Sequence, residues 1–157
     1  MNRQHVAAVV SIAGWLVGCD GGGGGAGKDT AGPISSELPS CALGANMADI
    51  EEKLFRGPQC MACHGRVTLF PTTLDLASEG LAARVVDKLA EANPDKGKCA
   101  GKPMLAKQDP FAGVFVEKVA VARPSCGDPM PQAMPRLTAD EISCVKRWAL
   151  LAALGAP

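Results

Sequence analysis

Apolar positions recur at helical spacing in four stretches of this chain, and nowhere do they alternate long enough to make a convincing strand. The clearest stretch is the last. Thr138-Ala139-Asp140-Glu141 has the form of a capping box, and Ile142, Val145, Trp148, Ala149 and Ala152 follow along one side. A first helix is predicted over Met47 to Phe55, with Ile50 and Leu54 at i, i+4 and Asp49, Glu51 and Glu52 near the positive end of the helix dipole. Gly57-Pro58 should stop it. A second helix is predicted from Ser78 to Ala92, with Leu81, Val85 and Leu89 on one stripe and Asn93-Pro94 as its stop. A third should begin at Asp109-Pro110 and run to Ala120, with Phe111, Phe115 and Val119 sharing a face. Phe70 to Asp75 and Asp95 to Lys107 read as loops. Arg123 to Arg136 carries Pro124, Pro129, Pro131 and Pro135 and is not helical. The predicted class is all-α.

The N-terminal segment is different in kind. Met1 to His5 is polar with one certain positive charge, Arg3, and Val6 to Leu16 is an apolar run well short of the ~20 residues that span a bilayer. It reads as the core of a signal peptide. Leu16-Val17-Gly18-Cys19 resembles the bacterial lipoprotein box, which implies removal of residues 1–18 and a lipid on Cys19. An ordinary cleaved signal followed by a chance cysteine is the alternative. Residues 19–39 include Gly21 to Gly25 without interruption, then Pro33 and Pro39. Glycine loses the most entropy on ordering, so this stretch is expected to be a flexible tether with a span of roughly 25 Å. The folded domain is expected over residues 40–157.

Composition narrows the classes. The 157 residues leave room for one domain, and 16 basic against 16 acidic side chains give no reason to expect nucleic acid as a partner. Seven cysteines point to an oxidising compartment. Their odd number fits one cysteine, Cys19, having a separate fate.

The chemistry-bearing stretch is Cys60-Met61-Ala62-Cys63-His64. Two cysteines at this spacing can each form a thioether to a haem vinyl group, and the histidine that follows reaches the iron. A zinc site would want four ligands, and no second C-x-x-C or C-x-x-H lies at a suitable distance. A dithiol redox site would want a strand–helix setting. His5 leaves with the signal segment, so His64 is the only histidine of the mature chain and a bis-histidine iron is ruled out. Methionine is the next usual ligand. Met47, Met61, Met104, Met130 and Met134 are the candidates. Met61 lies inside the attachment loop, Met47 lies on the helix leading into it, and Met104 and Met134 are better read as core fillers. Met130, stiffened by Pro129 and Pro131, is the favoured distal ligand, with Met134 as second choice.

The C-M-A-C-H motif, followed by M-P-x-x-x-P-x-L-T-x-x-E-I-x-x-V-x-x-W from Met130 to Trp148, resembles the small mono-haem c-type cytochromes. The likeness implies a small helical domain around one covalent haem c, with thioethers at Cys60 and Cys63. It also implies His64 as proximal and Met130 as distal iron ligand, and Trp148 as the packing aromatic of a C-terminal helix that crosses the N-terminal one. Cys41, Cys99, Cys126 and Cys144 then allow three pairings. Cys126–Cys144, stapling the Met130 loop to the last helix, with Cys41–Cys99, is the expected set; one bridge and two buried thiols is the alternative. Lys96, Lys98, Lys102 and Lys107 form either a docking patch for an acidic redox partner or a solvated loop. The expected function is one-electron transfer without substrate turnover, by a protein held on the periplasmic side of a bacterial membrane through a lipid at Cys19. A haem-based binding or sensing module with a weak or open sixth position is the rival.

Overall fold

A computed structural model describes residues 37–66, 74–91 and 98–156. The expected signal segment, Cys19, the tether as far as residue 36, Lys96 and the Asn93-Pro94 stop all lie outside the described residues. The order of elements is α1 (Met47–Ile50), a π-helical turn (Glu51–Phe55), α2 (Pro58–His64), α3 (Leu81–Val85), α4 (Val114–Ala120) and α5 (Ala139–Leu154). Among the described residues there are no strands, only two isolated bridges, so the class is helical as the sequence predicts.

The long helix α5 forms where its pattern places it. Thr138 and Glu141 close the capping box from both sides. At the other end Gly155 takes a left-handed φ of 71° and its N–H reaches Ala152, a turn that favours glycine. Its inward face buries Cys144, Val145, Trp148, Ala149 and Ala152. α1 packs against this helix, and so does α4.

Asn46 caps α1 by accepting from the Asp49 amide at 2.8 Å. The chain then runs without a break into the π-helical turn, where the Arg56 N–H reaches back five residues to the Glu51 carbonyl at 2.8 Å. Both Leu54 and Phe55 end up buried. Phe55 meets Trp148 edge-on at 5.1 Å between ring centres, and Phe115 of α4 at 5.4 Å. Trp148 is wholly buried, and its indole N–H donates to the Glu51 carboxylate at 2.9 Å. These three rings anchor the core.

Two helix expectations are corrected. The second helix does not run from Ser78 to Ala92; it is the single turn Leu81–Val85. Val86 turns extended and Asp87 left-handed (φ 52°), because the chain here pairs with residues 102–105. The Asp87 amide donates to Leu105 at 2.8 Å, and the Met104 amide donates to Lys88 at 2.7 Å. Pairing carries Leu105 into the core at 0% exposure, whereas Leu89, expected on the apolar stripe, stands 62% exposed. A tertiary partner overrides local propensity.

The third helix starts at Val114, not at Asp109-Pro110. A Cβ on Gly113 would stand 2.4 Å from the Met104 carbonyl oxygen, so the backbones touch there. The close approach lets Val114 and Phe115 donate to the carbonyls of Pro103 and Met104, both at 2.9 Å. Phe111 falls before the helix and is 39% exposed instead of sharing the face of Phe115.

The disulfide pairing is also corrected. The structure joins Cys41 to Cys144 and Cys99 to Cys126, in place of the expected Cys126–Cys144 and Cys41–Cys99. Residues 39–45 lie along α5, where Ser143 donates to the Ser40 carbonyl at 2.6 Å and Arg147 to those of Ala45 and Pro39 at 3.0 and 3.1 Å. That run brings Cys41 to Cys144. Cys126 is left beside the Cys99 loop.

Candidate functional site

Gly57 and Pro58, expected to stop one helix, also start the next. Pro58 occupies the first turn of α2, where its missing N–H costs nothing, and the Gly57 carbonyl accepts from Cys60 and Met61 at 3.1 and 3.0 Å. The whole pentapeptide is therefore helical. Cys60, Cys63 and His64 stand at i, i+3 and i+4, so the two sulfurs and the imidazole share one stripe. Cys60 and Met61 rest against the core, while Cys63 and His64 are half-buried. Cys60 and Cys63 remain thiols, with the other four described cysteines all in disulfides.

Burial pushes the Cys60 thiol above its ordinary pKa, and the Glu141 carboxylate at the start of α5 adds to the shift. A dithiol exchanger needs the opposite, a thiolate stabilised near neutral pH.

The His64 imidazole is oriented by the chain that follows. Its Nδ1 lies 2.7 Å from the Leu74 carbonyl oxygen. That oxygen can only accept, so Nδ1 carries the proton, and in the neutral ring Nε2 holds the free lone pair. The Leu76 amide returns a bond to the His64 carbonyl at 2.9 Å. Asp75, between them, binds the Ala77 amide at 2.7 Å and the Ser78 amide at 3.3 Å. Arg84 of α3 donates to the carbonyls of Asp75 and Ser78. The Ser78 hydroxyl, then the two amides and Arg84, hold the Asp75 carboxyl below its usual range. The carbonyl that fixes His64 thus sits in a turn braced on both sides. This brace has no signature in the sequence beyond an Asx-type turn at Asp75.

Leu74 also lines a cleft of about 420 Å³, with Ala83, Leu89, Met104, Arg84, Lys88 and Glu91. The cleft is mixed in character, with Leu74, Ala83, Leu89 and Met104 lining it together with Arg84, Lys88 and Glu91. Arg84 Nε is buried without a hydrogen-bond partner. The two terminal nitrogens of Arg84 are taken up by the Asp75 and Ser78 carbonyls. Cys60, Cys63 and His64, two thiols and an imidazole on one stripe of α2, are residue types that could hold a haem, and none of the three lines the cleft beside Leu74. Among the described residues, no group of three or more His, Cys, Asp or Glu side chains gathers closely enough to hold a metal ion unaided.

The methionines separate by environment. Met47, Met61 and Met104 pack against the core, and Met104 has both backbone groups bonded as well. Met134, the second choice for a ligand, is 43% exposed on the surface. Met130 is half-buried but takes no part in the core cluster, and the Met130–Pro131 peptide is cis. Its amide donates to the Lys118 carbonyl of α4 at 2.7 Å. Of the four expected patch lysines, Lys102 is engaged within the chain, donating to Ser125 at 2.9 Å. No described helix is long and apolar enough to cross a membrane. Compared with family models, curated proteins and solved structures, the chain matches none of them.

Proposed function

We propose that this protein is a one-electron carrier of the bacterial cell envelope, holding one haem c through Cys60 and Cys63, with His64 and Met130 as iron ligands and a lipid at Cys19. The observation that carries the reading is the His64–Leu74 bond. An outer-side hydrogen bond to a carbonyl is what orients a metal-binding imidazole, and here it leaves Nε2 available on the stripe that bears both cysteines.

When bound, the haem supplies a reversible single-electron couple. The residues of the chain do the rest. Cys60 and Cys63 fix the group to α2, and the Leu74 carbonyl keeps His64 in one tautomer. Met130 and Met134 both lie outside the core cluster, and Met130 is the half-buried one of the two; its soft thioether would raise the potential relative to a second histidine. With His64 and Met130 both holding the iron, the group would offer no open position to a substrate, so the reading is of a carrier. Its partners are redox proteins, met at the periplasmic face of a membrane.

The test is expression of the full chain with haem-attachment machinery, followed by a denaturing gel stained for haem. A chain without a stained band refutes the reading. In the stained protein, the oxidised spectrum should carry the methionine–iron charge-transfer band. The band should vanish in Met130→Ala and persist in Met104→Ala and Met134→Ala. Carbon monoxide binding to the untouched reduced protein would instead support a sensor with an open position.

A further inference from the structure

We propose that Glu117 and Lys118 of α4 are positioning residues for Met130, and that with the Cys99–Cys126 bridge they pin the segment 125–130 so that its thioether points one way. The proposal rests on the His64/Met130 ligation proposed above. Its basis is the number of bonds that converge on an otherwise irregular loop. The Ser125 amide and hydroxyl both donate to the Glu117 carboxylate, the hydroxyl at 2.7 Å. Lys118 Nζ donates to the Asp128 carbonyl at 2.8 Å, and the Lys118 carbonyl accepts from the Met130 amide at 2.7 Å. One residue therefore holds the loop on either side of Pro129. Lys102 reaches Ser125 from the neighbouring loop, and the disulfide ties that same loop to Cys126.

The loop is shaped to accept this clamp. Gly127 has a left-handed φ of 58°, and a Cβ there would stand 2.4 Å from Lys118 Nζ, so glycine leaves the ammonium room to reach Asp128. Behind the clamp, α4 is itself fixed, with Val114 and Val116 buried and Phe115 5.1 Å from Trp148 between ring centres. Met130 is outside the core cluster, so apolar packing does not set its position. Backbone clamping does. A thioether is a weak ligand, and it competes with external ligands in proportion to the time its loop holds it in place.

The experiment uses the oxidised holoprotein, full chain, titrated with imidazole while the charge-transfer band is followed. Glu117→Ala and Lys118→Ala should each tighten imidazole binding by about tenfold, because the methionine-off state is more populated. Glu117→Gln keeps one acceptor oxygen and should give a smaller shift, about threefold, and it carries the comparison if the alanine variant misfolds. Glu79→Ala, an exposed acid elsewhere on the domain, should change nothing. Two results overturn the proposal. A band that is lost in Met130→Ala, with imidazole affinities in the clamp variants within about twofold of the parent, refutes the clamp and leaves the ligation standing. No band in the parent protein refutes the ligation, and the clamp falls with it.

Discussion

Removing the Cys41–Cys144 bridge tests the pairing and the fold at once. Cys41 is the better side to change, since it is half-buried whereas Cys144 is wholly buried and its loss would also open a cavity. The two cysteines are 103 positions apart. In the chain-entropy account a loop of that size restricts the unfolded state by about 4.7 kcal/mol, against about 3.6 kcal/mol for a separation like that of Cys99 and Cys126. A domain of this size has about 5–15 kcal/mol of net stability, so Cys41→Ser should remove a third of it or more. Urea unfolding followed by helical circular dichroism reads the loss. Alkylation of the unreduced, denatured variant, mapped by mass spectrometry, should find the new thiol at Cys144, with Cys99 and Cys126 unlabelled. Label appearing at Cys99 would refute this pairing. A loss below about 1 kcal/mol would refute the argument that the bridge closes the long loop.

Trp148→Ala should cost about 3–5 kcal/mol in the same urea assay, and Trp148→Phe clearly less, since it keeps a ring beside Phe55 and Phe115 but drops the bond to Glu51. Thr138→Ala should lower stability by about 1 kcal/mol through loss of the capping box, with the fraying read as faster amide exchange at Glu141. Asp75 and Glu117 both have depressed pKa values, Asp75 chiefly through the Ser78 hydroxyl and Glu117 chiefly through that of Ser125. A depressed carboxyl contributes above its unfolded pKa and loses that contribution as pH falls through the folded value. Exchange protection at Ala77, Ser78 and Ser125 should therefore drop below about pH 4, before that of α5.

Local chemistry was legible in the sequence, and contacts between distant segments were not. Thr138 to Glu141 announces α5 because a capping box is complete within four residues. The pentapeptide announces its stripe for the same reason. Leu89 misleads because its spacing from Leu81 and Val85 suits a helix, and only pairing of residues 86–90 with 102–105 shows why the helix stops. Asp109-Pro110 has the form of a helix start, yet the contact of Gly113 with Met104 delays the helix to Val114. The disulfides fail similarly: four cysteines allow three pairings, and the choice depends on residues 39–45 lying along α5. At the site, His64 was readable, but the Leu74 carbonyl that orients it and the Arg84 brace behind that turn were not. Neither has a spacing relative to His64 that marks it.

The parts of the candidate site reach the core by separate routes that meet at one residue. α2 follows the π-helical turn after two residues, and that turn carries Phe55, which packs on Trp148. Met130 is bonded to α4, and α4 carries Phe115, which packs on the same indole. Glu51, at the start of the turn, fixes the indole through its N–H. The π-helical turn buries both Leu54 and Phe55 before Gly57-Pro58 opens α2. A chain with six aromatic residues concentrates three of them where the π-helical turn before α2, α4 and α5 meet. Neither of the two short helices α2 and α4 is long enough to be stable alone. α5 supplies that stability, and Trp148 is the point through which it does so.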